Sequence, residues 1–88
     1  MDGYAVTDQL PTLDADDIAI DEQDFRATAT FLFADGVRFP VLIYKQTLWR
    51  WTGDTDHRKI RAAILKRSPE LAELVASARI ARRKKLTV

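Results

Sequence analysis

The chain has a single histidine, in Asp54-Thr55-Asp56-His57. An imidazole beside two carboxylates is a minimal set for proton transfer or for part of a metal site. At this spacing the acids have a simpler use. They directly precede an apolar-periodic run, where they supply N-cap oxygens and negative charge at the positive end of a helix. A metal centre needs more ligands at helical or loop spacing. Asp14, Asp16 and Asp17 lack the loop glycine and the closing bidentate glutamate of a calcium loop. The sequence contains no phosphate-cradling glycine motif and no nucleophile elbow. With no cysteine, thiol chemistry, disulfides and cysteine-ligated zinc are excluded. The expectation is a non-catalytic chain with no metal, no cofactor and no small-molecule substrate.

The residues best able to do chemistry of another kind are cations. Arg58, Lys59, Arg61, Lys66, Arg67, Arg79, Arg82, Arg83, Lys84 and Lys85 fall within 28 residues. Converging on one side, they would neutralise phosphates and release counterions, the footprint of nucleic-acid binding. Dispersed, they would only solubilise helices and favour the helix dipole at its C-terminal end. On a helical wheel Arg58, Lys59, Arg61 and Lys66 do not share one narrow stripe. Two helices joined at Arg67-Ser68-Pro69 invite comparison with a helix-turn-helix. The second helix has an apolar face to bury, which favours nonspecific backbone contact over base reading.

Trp49 and Trp51 flank Arg50 and could stack on bases. Two tryptophans also carry more apolar area than a small domain readily leaves in water. At least one is therefore expected in the core, with Trp51, next to a turn, the better surface candidate. A rival set of residues points to a protein partner: Leu32, Leu42 and Tyr44 on the polar side of a predicted hairpin, and Ile80 on the polar side of a predicted helix.

The elements that must position these groups follow from periodicity. Phe25, Ala27, Ala29, Phe31 and Phe33 alternate with polar residues, as do Val37, Phe39, Val41 and Ile43, which predicts a hairpin of strands 25–34 and 37–45. A two-residue Asp35-Gly36 loop would mix the faces. A three-residue Ala34-Asp35-Gly36 loop with a left-handed glycine pairs Phe33 with Val37, Phe31 with Phe39, Ala29 with Val41 and Ala27 with Ile43, and makes one face wholly apolar. Pro40 has no amide hydrogen, so its outward side should be an edge or a break in the ladder. Leu48-Trp49-Arg50-Trp51 reads as a short third strand over 47–51. Helices are expected at about 54–66 and at about 69–84, the second introduced by Ser68-Pro69-Glu70 and carrying Leu71, Leu74, Val75 and Ala78 on its buried face. The fold class is thus α+β, a small antiparallel sheet packed against two C-terminal helices. The expected core is Phe31, Phe33, Phe39, Val41, Ile43, Ile60, Ile64, Leu71, Leu74 and Val75.

Length allows one core: 88 residues, 47% hydrophobic and 31% charged, make a single domain. Residues 1–24 hold eight acids and no Lys or Arg, whereas 25–88 hold all fourteen Lys and Arg against five acids, so a formal net charge of +1 conceals −8 and +9. The acidic segment reads as a flexible or loosely docked arm ahead of a domain at 25–88. It either solvates as a tail or folds over the basic half and competes with anionic partners. Its exception is Ile18-Ala19-Ile20, an apolar triplet suited to a short edge strand or a latch. The N-terminus lacks the basic start and apolar run of a signal peptide, and no stretch nears the roughly 18 apolar residues of a membrane span. A cytoplasmic location with no membrane partner is the expectation.

Two functions fit this pattern. The first is a nucleic-acid-associated binding module using the basic helical layer, with the acidic arm modulating access. The second is a protein-interaction module of the kind found among bacterial or viral accessory and inhibitor proteins, docking through its sheet edge, its exposed sheet face or its acidic arm.

Overall fold

The predicted hairpin lies at the centre of the fold, in a computed structural model that describes residues 10–88. Residues 1–9, the start of the predicted acidic arm, lie outside the described residues. In chain order the elements are strand β1 (Thr12–Asp21), strand β2 (Arg26–Leu32), strand β3 (Arg38–Ile43), helix α1 (Lys45–Thr52), helix α2 (His57–Lys66), helix α3 (Ser68–Ile80) and strand β4 (Leu86–Thr87). The sheet order is β1-β2-β3-β4, antiparallel except for the parallel β3–β4 pair. The protein is an α+β fold whose small sheet packs against C-terminal helices. No helix among the described residues is long and apolar enough to cross a membrane.

The hairpin has the register that its side chains demand. Ala27 faces Ile43, Ala29 faces Val41 and Phe31 faces Phe39. The Phe33 amide donates to the Val37 carbonyl at 2.9 Å, and the Gly36 amide donates to the Phe33 carbonyl at 2.9 Å, closing the three-residue loop. Gly36 has φ +88°, and a Cβ there would meet nothing within 4 Å, so the glycine is required by conformation and not by space. The Phe33–Val37 hydrogen bond fixes the alternation of the ladder, which turns Pro40 away from β2 and toward β4. The β4 ladder pairs Val41 with Leu86 and Leu42 with Thr87 and runs on to Tyr44, so it begins just past the missing amide hydrogen.

Alternation puts Ala27, Ala29, Phe31, Phe33, Phe39, Val41 and Ile43 on one buried face. On the other side of the core stand Leu48 from α1, Ile60 and Ile64 from α2, and Leu71, Ala72, Val75 and Ala78 from α3. Each fully buried Leu, Ile, Val or Phe contributes on the order of 1.5–3 kcal/mol of transfer free energy. That burial is the main term holding the helices to the sheet.

Several expectations are corrected. The segment expected as a third strand at 47–51 is helix α1. Alternation would have placed both tryptophans on one face, but the burial is helical: Thr47 and Leu48 are buried and Trp51 packs against the core one turn later, while Trp49 and Arg50 point outward. The aromatic preference for strands is overridden because only a helix buries Leu48 and Trp51 together. Gly53, with φ +64° and its amide bonded to the Trp49 carbonyl, ends the helix as a left-handed cap.

The second correction concerns the acidic segment. From Thr12 onward it is not a loose arm but a ten-residue edge strand. Ile18 faces Ala29, Ile20 faces Ala27 and Leu13 faces Phe31. Those three apolar residues pack against the core. Between Leu13 and Ile18, four residues of β1 stand opposite Thr30 alone, a wide irregularity that breaks the two-residue period. The apolar triplet was the visible end of this strand.

The third correction is α3, which stops at Ile80 and not near residue 84. Its buried positions are Leu71, Ala72, Val75 and Ala78, whereas Leu74 is 47% exposed. The shared stripe is Leu71, Val75 and Ala78. The flank packed inward is the one bearing Ala72, whose small side chain suits a close approach. Ser68 supplies no side-chain cap; Arg67 is the cap residue, and Pro69 lies in the first turn.

Candidate functional site

The layers of this fold sort its charge. The three-strand portion, residues 10–43, contains two Lys or Arg and seven Asp or Glu, a formal −5. The portion from 44 to 88, which supplies all three helices and β4, contains twelve Lys or Arg and four Asp or Glu, a formal +8.

Both arginines of the first portion are neutralised where they stand. Arg38 on β3 reaches across the uncovered face of the sheet to the irregular part of β1, where its Nη2 lies 2.7 Å from Asp17 and 3.0 Å from Asp14. The Arg38 hydrogen bond, helped by Thr30, holds the Asp17 carboxyl below the usual aspartate range. Arg26 sits 3.6 Å from Asp21 and 3.5 Å from Asp24 in the β1–β2 turn. Four of the described acids of the leading segment, Asp14, Asp17, Asp21 and Asp24, are thus engaged with sheet arginines, and none pairs with a helical Lys or Arg.

Among the ten helical cations named from the sequence, two are ion-paired. Lys59 bonds Asp54 at 2.9 Å, which lowers the Asp54 pKa and raises that of Lys59. Arg79 bonds Asp35 at 2.6 Å, with its guanidinium 4.4 Å from the Phe33 ring centroid, and lowers the Asp35 pKa. Arg67 lies over Trp51 at 4.8 Å. Arg58, Arg61, Lys66, Arg67, Arg82, Arg83, Lys84 and Lys85 form no ion pair among the described residues, nor do Lys45 and Arg50 on α1.

The cations do not form one stripe. His57, the first residue of α2, is 3.0 Å from Glu22 in the β1–β2 turn, so Arg58 and Lys59 lie at that end of the sheet. Arg79, near the end of α3, is tied to the β2–β3 turn at the opposite end of β2. Lys66 and Arg67 mark the junction between the two helices. The densest group, Arg82-Arg83-Lys84-Lys85, links α3 to β4 and is exposed throughout. The helix expected to about 84 would have taken in most of this run as a projecting or fraying last turn. The structure instead makes it a loop fastened at both ends.

The aromatic expectation is reversed. Trp51 is half-buried beneath Arg67, and Trp49 is the more open tryptophan at 46% exposure. Trp49 packs its ring on Phe25, centroid to centroid 5.0 Å. Of the residues proposed for a protein partner, Leu32, Leu42 and Tyr44 share the sheet face that no helix covers, whereas Ile80, 75% exposed, belongs to α3 in the other layer. Four residues thus form a group of three and an outlier.

An open groove of about 620 Å³ beside His57 is lined by Ile20, Glu22, Phe25, Asp54, Thr55, Asp56 and His57. Its polar groups are already engaged: Glu22 with His57, Asp54 with Lys59, and Asp56 with the Arg58 amide at 2.8 Å as the α2 cap. That geometry is a helix start pinned to a turn. Comparison of the chain with protein-family models, curated proteins and solved structures found no match.

Proposed function

We propose that this chain is a non-catalytic nucleic-acid-binding module that contacts the phosphate backbone through its helical layer. The observation carrying this reading is the division of charge by layer. Ten of the twelve cations in residues 44–88 have no ion-pair partner among the described residues, while both sheet arginines are neutralised by acids of the leading segment. A polyanion gains most where cations are not already compensated, because each phosphate neutralised releases condensed counterions. The acidic sheet layer would repel the same polyanion and so orient the helical side toward it.

The test is fluorescence anisotropy with a labelled duplex and a single strand of equal length, repeated across a salt series. The expected result is binding at low salt whose logarithm falls linearly with log salt, with a slope of about −0.9 per phosphate contact on duplex. No binding to either probe at low salt would end the proposal. Removing residues 1–24 is not a suitable test of the acidic segment, since it would delete β1 and uncover Ala27 and Ala29.

The alternative reading is a protein-interaction module, favoured by the helix-free sheet face on which Leu32 and Tyr44 are 39% and 44% exposed. It predicts a stoichiometric protein partner that survives nuclease treatment and is lost in a Leu32→Asp, Tyr44→Asp variant.

A further inference from the structure

Two non-glycine residues among those described have positive φ, Phe25 at +48° and Arg82 at +63°. For Phe25 a compensation is visible, since its ring packs on Trp49. For Arg82 none is. It occupies the first position past the α3 cap, Ala81, in the left-handed conformation that a helix end ordinarily assigns to glycine. The hydrogen bonds are those of a helix-closing turn: the Arg82 amide donates to the Arg79 carbonyl at 2.8 Å and the Arg83 amide to the Ala78 carbonyl at 2.9 Å. An exposed arginine thus stands where glycine would be the more stable choice.

The loop it opens is also costly by charge. Four consecutive cations repel one another, and no carboxylate among the described residues pairs with any of them. The loop is nevertheless held in place. The turn just described fixes its start, and its end runs into β4, where the Val88 amide donates to the Leu42 carbonyl at 2.9 Å and the Tyr44 amide to the Val88 carbonyl at 3.0 Å. A non-glycine residue held in the left-handed region with no side-chain contact to offset it is a signature of functional positions, and a tethered loop loses less freedom on binding than a free tail.

We propose that the Arg82–Lys85 loop is the principal phosphate-contacting site of the nucleic-acid-binding surface, and that Arg82 is kept at a glycine position because its side chain is needed there. This rests on the function proposed above and localises it. The defining consequence is opposite signs for stability and binding at one residue.

The experiment compares Arg82→Gly with Arg58→Gln, each removing one positive charge, in the full chain. Arg82→Gly should raise Tm by about 4 °C, weaken duplex binding roughly fivefold and reduce the salt slope by about 1. Arg58→Gln should change affinity by less than about twofold, and Arg82→Lys should keep both wild-type affinity and wild-type Tm. Equal loss of affinity in Arg82→Gly and Arg58→Gln would mean that only net charge matters, overturning the loop assignment while leaving nucleic-acid binding intact. An unchanged or lower Tm in Arg82→Gly would overturn the glycine-site argument in the same way. A wild-type chain that binds neither probe at low salt overturns both proposals.

Discussion

The sheet and the helical layer handle charge in opposite ways. Arg26 and Arg38 each meet two carboxylates of β1 or the β1–β2 turn, whereas the helices and the loop after α3 leave ten cations without an ion-pair partner among the described residues. The difference teaches where electrostatics serves the fold. In the sheet, the arginines meet the acids of an edge strand that its ladder to β2 and the packing of Leu13, Ile18 and Ile20 hold in place. In the helices, apolar stripes already fasten the elements, and most of the positive charge has no ion-pair partner among the described residues.

The sharpest way to break this comparison is at the seam between the layers. If burial and not charge holds them together, Leu48→Ala should destabilise the protein by about 3 kcal/mol, read from urea melts, because Leu48 is fully buried. A loss below about 1 kcal/mol would show that α1 is not pinned by its one leucine. Charge reversal sharpens the contrast with a smaller effect. Arg38→Glu would add a third carboxylate beside Asp14 and Asp17 and lower Tm, while Lys45→Glu, at the exposed first position of α1, should leave Tm unchanged or raise it, because an acid there meets the positive end of the helix. Equal drops in the two variants would erase the distinction between layers.

The smallest effect is the pH dependence. Asp17, Asp35 and Asp54 are held below the ordinary aspartate value by hydrogen bonds from Arg38, Arg79 and Lys59 respectively. A carboxylate whose folded pKa is depressed contributes stability that is fully present above its unfolded value, about 3.9, and is lost as pH falls through the folded one. Thermal melts should therefore be flat between about pH 7 and 5 and decline below about pH 4. Asp35→Asn should reduce that decline, whereas Asp16→Asn, at a carboxylate with no ion pair among the described residues, should not. All three acids are solvent-exposed, so screening keeps each share small.

How much of this was legible in sequence follows from how local each signal is. The register of the hairpin was readable to the residue, though not its ends, because two alternating runs meet at Asp35-Gly36, and only one loop length gathers Phe31, Phe33, Phe39 and Val41 on one face. The α2 start was readable from Asp54 and Asp56 ahead of an apolar stripe. Strand β1 was hidden by its irregular stretch at 14–17, which shifts Ile18 and Ile20 out of phase with Leu13. Helix α1 was hidden by two tryptophans with strand preference, although Gly53 was there as a helix-ending signal. Trp49 and Trp51 exchanged roles as a direct consequence, since residues two apart share a face in a strand and lie on opposite sides of a helix.

The sequence by itself determined the apolar face of the hairpin, its turn, the positions of the last two helices and the uneven distribution of charge along the chain. Each of these depends on neighbours within a turn or a strand period. Tertiary structure alone decided which cations are neutralised, because Arg38 meets Asp17 and Arg79 meets Asp35 only after distant segments are brought together. It also decided that the basic run is a fastened loop, because its far end is held by hydrogen bonds of Val88 with Leu42 and Tyr44, which are distant in sequence.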